Sequence, residues 1–372
     1  MEKVRSLWVL IGCMLCCLFS YAQEADGTHQ AQALKYNPAF DGVGPKVYIL
    51  PPPKTERELL EESYLKKWQS LSQVEDSIEH IQIGNQLKCL PDPVRPINIR
   101  AVDWEVFPAK QRLELAREYY EKHTDRNVLA HIQNNLGNYY FLEGDLLSAD
   151  SLYKKSLAYA IQQRLDTEGL LVLENLTLLK LKQQDYETAL GYFQQMLDRP
   201  GLGRDMDHQA MLFLEVAKVE AAMGHYAAAQ RIGLNKSITI FKRTDNYKGI
   251  VRALNVLASF METQEKYVEA KWYYLQAIEV AEDHGDKAGL ACSLYNLATL
   301  KNTISDYTLA VGDFKQAGEI ADELSMKILL LKIKNGLGDS YLQLGDYTAA
   351  NVLLQEYNII KTDVLGQVSR VN

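Results

Sequence analysis

Apolar residues recur at helical spacing along most of the chain, and one pattern returns about every 40 residues. An alanine marks each return, and a large apolar residue follows it four positions later in six of the seven cases. A fixed period with fixed internal chemistry predicts a repeat architecture, in which each unit buries its apolar face against its neighbours. The seven alanines are Ala109, Ala149, Ala189, Ala229, Ala270, Ala310 and Ala350.

Each repeat predicts two helices joined by a short turn. The first helix carries a large residue followed by a small one, as in Leu136-Gly137 and Leu297-Ala298, and the small residue lets a neighbouring helix approach closely. Four of the six turns end in an aspartate that is suited to cap the second helix. The third repeat departs from the pattern because Gly233 replaces the aromatic residue, which predicts a local irregularity there. We expect a capping helix over 108–123, six helix pairs over about 125–363 and a helical tail to residue 372.

Two repeats carry a recognisable motif. Leu136-Gly137-x-x-Tyr140, followed by Gly144, Ala149 and Tyr153, resembles the tetratricopeptide repeat signature, and Leu337-Gly338-x-x-Tyr341 with Gly345 and Ala350 resembles it again. The resemblance covers about residues 108–363, and the long period is similar to the variants in kinesin light chains and in several bacterial sensor arrays. It implies an all-α fold: a right-handed superhelical solenoid of antiparallel helix pairs whose first helices line a concave groove. HEAT and armadillo repeats share the period but lack this arrangement of small residue, Gly-Asp turn and alanine.

The start of the chain resembles a bacterial secretory signal. Lys3 and Arg5 precede an apolar run over 7–19, and Ala22 suits signal peptidase, so we predict a signal peptide over 1–22 and an exported, periplasmic chain from Gln23. A lipid anchor through Cys13, in a lipobox-like stretch, is an alternative. No later stretch approaches the roughly 20 apolar residues of a membrane helix, so no integral span is expected.

The region between the signal and the repeats divides in three. Residues 23–53 contain glycine and proline without periodicity and predict an extended or disordered linker. Thr55 and Glu58 form a capping-box pattern that opens a long amphipathic helix over about 54–83. Prolines keep the stretch up to residue 107 out of regular helix.

The sequence offers little catalytic chemistry. None of the seven histidines has a partner at metal-binding spacing, and the glycines fall at repeat positions rather than in a phosphate-binding loop. We therefore expect no enzyme, no metal and no cofactor. The net charge of −8 argues against nucleic acid or an anionic membrane as the main partner.

Polar residues on the predicted first helices are the candidate binding site. Asparagines recur there in equivalent or adjacent places, although asparagine disfavours helix interiors, and an amide can both donate to and accept from a peptide backbone. An alternative is that these amides bond neighbouring helices and hold the stack in register. The candidate residues are His131, Asn134, Asn135, Asn138, Glu174, Asn175, Lys218, Arg252, Asn255, Ser259, Tyr295, Asn296, Thr299, Lys332, Asn335 and Asp339.

Three functions fit these features. The first is a non-enzymatic adaptor that binds a peptide or protein segment in the groove. The second is an extracytoplasmic sensory module acting on a separate membrane signalling protein. The third is a spacer or self-associating scaffold in which the helix over 54–83 docks on the array or on a second copy.

Overall fold

A computed structural model of the chain describes residues 55, 58–60, 62, 63, 66, 71–91, 108–199 and 205–371. The predicted signal peptide, Cys13, the linker over 23–53 and most of the proline-rich connection lie outside the described residues. Residues 54–372 form one compact unit. Regular structure in the described part of this unit is helical throughout.

The helices follow one another as antiparallel pairs. Helix α1 spans Leu71–Gln86 and α2, the capping helix, spans Ala109–His123. The predicted all-α solenoid of helix pairs is confirmed, because each described helix of the array packs on the next along the chain. The pairs are α3 (Arg126–Leu142) with α4 (Leu146–Gln162), α5 (Asp166–Lys182) with α6 (Tyr186–Leu197), α7 (Met206–Ala222) with α8 (Tyr226–Ile232) and α9 (Thr239–Arg243), α10 (Tyr247–Glu262) with α11 (Tyr267–Asp283), α12 (Lys287–Thr303) with α13 (Tyr307–Glu323), and α14 (Lys327–Gln343) with α15 (Tyr347–Val371).

The periodic alanines lie where helices of a pair meet. Six of the seven are 0% exposed, whereas Ala109 in the first turn of α2 is only half-buried. Gly137, the small residue on the first helix of the first pair, lies in the same contact between helices, because an added Cβ there would lie 2.5 Å from the ring of Tyr153 on α4. Alanine and glycine are therefore required by the close approach of the two helices.

The aspartate caps form at three of the four predicted positions. Asp145, Asp185 and Asp346 each accept a hydrogen bond from the backbone amide three residues later, at 3.0, 3.3 and 3.0 Å. The prediction is wrong for Asp306, which makes no such bond. Its ψ of 58° is lower than the 75° and 71° at Asp145 and Asp185, so the carboxylate is presented differently to the helix start.

The third pair is irregular, as the sequence predicts. Between α8 and α9 the helix widens into a π-helical turn over Gly233–Ile238. A Cβ at Gly233 would lie 3.3 Å from the side chain of Leu257 on α10, so the glycine allows close packing at the turn. The irregularity is thus a change of helical pitch within an otherwise continuous second helix.

The left-handed turns between helices give a first prediction. Gly144, Gly224 and Gly345 adopt φ near +80°, and Glu265 holds φ of 59° at the equivalent place. Because glycine takes this conformation without steric cost, Glu265→Gly is expected to stabilise the protein by about 0.5–1 kcal/mol. The midpoint of urea unfolding measures the change. Gly345→Ala is the matched reverse substitution and should lower the midpoint; a Glu265→Gly midpoint below that of the wild type would contradict the prediction.

The segment before the array packs along it. The capping box forms, since Thr55 N donates to Glu58 Oε2 at 2.7 Å and Glu58 N donates to Thr55 Oγ1 at 3.3 Å. Leu60 packs against Ala350 and Leu354 of α15. The docking of this segment on the array, one of the arrangements that the sequence allows, is therefore present within a single chain.

Helix α1 continues this contact toward the other end of the array. Val74 and Ile78 pack with Leu331 of α14 and Tyr357 of α15. Near the end of α1, Glu79 accepts a 2.6 Å hydrogen bond from Lys182 Nζ at the end of α5. Helix α1 thus runs from the last helix pair to the second, and it delivers the residues that follow it to the first helices α3 and α5.

Candidate functional site

Four of the predicted asparagines come together at the first two pairs. Asn134, Asn135 and Asn138 lie within about one turn of α3, and Asn175 lies on the neighbouring first helix α5. They are 0%, 6%, 6% and 1% exposed, respectively. Buried amides need hydrogen-bond partners, so their contacts decide what the cluster does.

The asparagine cluster binds the backbone of an extended segment of the same chain. Asn135 makes two hydrogen bonds with one residue: Leu90 N donates to its Oδ1 at 2.9 Å, and its Nδ2 donates to Leu90 O at 2.8 Å. Asn175 does the same with Lys88, at 2.7 Å from Lys88 N and 2.9 Å to Lys88 O. Alternate residues of the segment are therefore held as a neighbouring β-strand would hold them.

The Lys88 carbonyl receives further donors. Asn134 Nδ2 donates to it at 2.8 Å and Asn138 Nδ2 at 3.2 Å. With Asn175 included, three amides from two helices converge on one peptide oxygen. Such convergence fixes the register of the segment, because a shift by one residue would put a side chain where the carbonyl now lies.

The same amides also bond one another across the helices. Asn175 Nδ2 donates to Asn134 Oδ1 at 2.8 Å and to Asn138 Oδ1 at 3.2 Å. Beneath them, Tyr153 Oη donates to Asn138 Oδ1 at 2.8 Å, and burial raises the pKa of the Tyr153 hydroxyl. The cluster thus serves both purposes that the sequence left open: it joins adjacent repeats, and it binds a backbone.

Side chains of the bound segment differ in their burial on the array. Leu87 and Leu90 are buried in one apolar cluster with Phe141 and Tyr153, whereas Cys89 is exposed. Lys88 Nζ lies 3.4 Å from Glu174 Oε2. The array therefore recognises an extended backbone together with apolar side chains that flank a cationic one.

The charged candidates lie around the asparagine cluster or elsewhere on the array. His131 Nε2 is 3.9 Å from Glu168, and burial lowers the pKa of the His131 imidazole while the Glu168 carboxylate raises it. His208 Nε2 is 3.7 Å from Glu174, which joins that carboxylate to the third pair. Lys218 pairs with Glu215 of its own helix at 2.6 Å.

Four candidates on the later first helices lie away from the asparagine cluster. Arg252 and Lys332 are exposed, and Asn335 and Asp339 are half-buried on α14. None of them lines the cavities described in the array. The structure therefore gives them no shared site with the asparagines.

The remaining candidates meet in the middle of the array. Asn255, Ser259, Tyr295, Asn296 and Thr299 line a cavity of about 400 Å³ between α10 and α12. Asn296 Nδ2 donates to Asn255 Oδ1 at 3.0 Å, and Asn255 Nδ2 donates to Ser293 Oγ at 2.7 Å. The first helices α10 and α12 are thus joined by an amide pair, as α3 and α5 are.

Three residues of this cavity were not predicted from the sequence: Val256, Glu262 and Tyr274. Tyr274 Oη donates to Glu262 Oε2 at 2.8 Å. Burial raises the pKa of the Glu262 carboxyl, and this hydrogen bond lowers it in part. Tyr274 stands four residues after Ala270 as Tyr153 does after Ala149, so alignment of the repeats could have indicated it.

Two features are absent from the described residues. No helix there is both long and apolar enough to cross a bilayer. No group of three or more His, Cys, Asp or Glu side chains in the same part of the chain is placed to hold a metal ion.

Comparison with known proteins gives the fold. Residues 176–333 match, in three overlapping segments, the sequence profile of the family described as anaphase-promoting complex subunit 5. No curated protein matches the chain. BtubC from P. vanneervenii is similar in structure, with 19% identity and a TM-score of 0.50, over 59% of this chain and 92% of that one.

Another similar structure is a tetratricopeptide repeat protein from Parabacteroides merdae, with 15% identity and a TM-score of 0.47, over 81% of this chain and 99% of that one. These likenesses concern the fold alone. The tandem antiparallel helix pairs themselves identify a tetratricopeptide-like helical repeat fold.

Proposed function

We propose that the protein is a non-enzymatic scaffold that binds an extended peptide segment along the first helices of its array. The observation that carries the proposal is the paired hydrogen bonding of Asn135 to Leu90 and of Asn175 to Lys88. Each amide satisfies both the N–H and the C=O of one peptide residue. This is the chemistry that backbone recognition requires, and it depends little on the side chain of that residue.

The residues 88–90 occupy this site as a ligand that is covalently attached. A net contribution of about 0.5–1.5 kcal/mol for each hydrogen bond makes the six bonds to Lys88 and Leu90 a substantial interaction. An attached segment also acts at an effective concentration in the millimolar range. A partner segment must therefore replace residues 88–90 in order to bind at the same asparagines.

Vacating the asparagine cluster tests the proposal. The double substitution Lys88→Pro and Leu90→Pro removes the two N–H groups that donate hydrogen bonds to Asn175 Oδ1 and Asn135 Oδ1. We expect the double variant to bind a fluorescent peptide with the sequence of residues 85–93, as measured by anisotropy, and the wild type to bind it at least about tenfold more weakly because its site is filled.

Two controls accompany this measurement. Cys89→Pro places proline at the intervening residue, whose side chain is exposed and contacts the cluster through a long 3.5 Å hydrogen bond from Asn138 Nδ2 to Sγ. Because both N–H groups that bind the asparagines remain, this variant is expected to behave as the wild type. Adding Asn135→Ala to the double variant should abolish binding. A double variant with native helicity that fails to bind the peptide would exclude the asparagine cluster as a peptide site.

The place of action is a separate proposal. The charged and apolar start of the chain favours export, and we propose that the scaffold acts in the periplasm on a separate protein. Sequencing the N-terminus of the chain purified from whole cells tests this. A start at Gln23 supports export, and a start at Met1 or Glu2 contradicts it.

A further inference from the structure

The asparagine pair that holds Lys88 recurs three repeats later along the array. Asn134 and Asn175 form the first pair, and Asn255 and Asn296 stand at the equivalent positions of α10 and α12. The internal hydrogen bond is the same in both: the second amide donates to the first, at 2.8 Å and 3.0 Å. A tyrosine lies at the same repeat position on the following helix in each case, Tyr153 and then Tyr274.

The two pairs differ in what they hold. Asn175 Oδ1 accepts the Lys88 amide at 2.7 Å, whereas no described residue donates to Asn296 Oδ1. In place of a bound segment, Asn255 and Asn296 face the cavity of about 400 Å³. The second pair thus keeps the amide-to-amide bond of the first and has an open volume, with Asn296 Oδ1 available, where the first has a backbone. It differs in that Asn255 Nδ2 donates to Val251 O at 2.9 Å and to Ser293 Oγ at 2.7 Å, and Val256 and Ser259 stand at the positions of Asn135 and Asn138.

A difference between the two sites at one wall position changes which side chain of a bound segment would fit. Phe141, which shares the apolar cluster of Leu87 and Leu90, has Glu262 as its equivalent in the second site. Glu262 is half-buried, and its carboxylate forms no ion pair with a Lys, Arg or His in the part of the chain that the structure describes. A carboxylate on the wall of such a cavity favours a cationic guest, because the pair offsets the cost of burial.

We propose that Asn296, oriented by its hydrogen bond to Asn255, binds the backbone of an extended segment of another protein, and that Glu262 pairs with a lysine or arginine of that segment. The inference rests on the proposed function, since it takes from residues 88–90 the rule that these amides recognise a backbone. It adds a second site and a charge preference. The array then carries one site that its own chain fills and one that is open to a basic partner segment.

Two peptides test the second site on the full chain, in which residues 88–90 fill the first. The leucine peptide has the sequence of residues 85–93, and the lysine peptide is the same with Leu87→Lys and Leu90→Lys. Anisotropy of fluorescent peptides gives the affinities. We expect the lysine peptide to bind about tenfold more tightly than the leucine peptide, a ratio in keeping with one charge-assisted hydrogen bond.

Variants of the cavity assign the binding. Asn296→Ala should weaken the lysine peptide by about tenfold or more, and Glu262→Gln should remove the preference for lysine over leucine. The exposed Asn351→Ala should leave the affinity of the lysine peptide unchanged. Far-UV circular dichroism establishes that each variant keeps its helices.

Three results would overturn the proposal. The first is failure of both peptides to bind at about 1 mM, and the second is binding of the lysine peptide that survives Asn296→Ala. The third is faster hydrogen exchange of residues 92–107 in Asn296→Ala, which would mean that the chain itself fills the cavity. If the lysine peptide fails while the double proline variant takes up the leucine peptide, the second site alone is excluded. If both fail, the proposed function fails with it.

Discussion

The double substitution Asn135→Ala and Asn175→Ala is expected to release residues 88–90 from the array. Four hydrogen bonds to the backbone of Lys88 and Leu90 are lost, two from each asparagine. At about 0.5–1.5 kcal/mol each, this removes about 2–6 kcal/mol from the interaction, which corresponds to a roughly 30- to 20,000-fold loss of protection. Amide hydrogen exchange of Lys88 and Leu90, followed by mass spectrometry of the peptides that contain them, measures it.

The experiment has a matched control in Asn351→Ala. Asn351 is an exposed asparagine on α15, and its removal should leave the exchange of residues 87–90 unchanged. Helix α1 should keep most of its protection in the double variant, because Val74 and Ile78 are held by apolar contacts with α14 and α15. Unchanged exchange of Lys88 and Leu90 in the double variant would mean that packing of Leu87 and Leu90 alone holds the segment.

Gly137→Ala is expected to have the largest effect on stability among single-methyl additions in this region. The added Cβ would lie 2.5 Å from Cε1 and 2.7 Å from Cδ1 of Tyr153, a ring that is fully buried and bonded to Asn138. Since the ring has no open space into which to move, the substitution should destabilise the protein by about 1–3 kcal/mol. The midpoint of urea unfolding measures this change.

Gly191→Ala serves as the control for the helical preference of alanine. Gly191 also lies inside a helix, but no atom stands within 4 Å of its added Cβ. Alanine there should stabilise the protein by about 0.5–1 kcal/mol. If the two substitutions shift the midpoint in the same direction, the clash with Tyr153 is not the cause.

The sequence was most informative where a contact repeats. The alanines and the small residues at Gly137 and Gly338 are read from one repeat to the next, and all except Ala109, in the capping helix, lie in a helix pair of the structure. The asparagines were identified for the same reason, since an amide on a helix interior contradicts local preference wherever it recurs. A residue preference that recurs in every repeat can be compared over several copies, so it can be recognised within a single sequence.

Non-periodic contacts could not be predicted in the same way. Residues 87–90 look like part of a connection between helices, and nothing local in Lys88 or Leu90 indicates that Asn175 and Asn135 bind them. Their extended conformation depends on amides that are far away in the sequence. Glu262 was missed because it interrupts the repeat pattern at a position where Phe141 continues it.

Helix α1 changes how the array should unfold. In an open stack of repeats each unit contacts only its neighbours, so stability is a sum of local terms and the ends can fray independently. Here Ile78 packs on the last helix pair and Glu79 bonds Lys182 of the second, while residues 88–90 continue to the first. Helix α1 and the residues after it therefore contact both ends of the array. Unfolding at one end removes packing and hydrogen bonds from the other, so we expect the array to unfold as one cooperative unit rather than repeat by repeat.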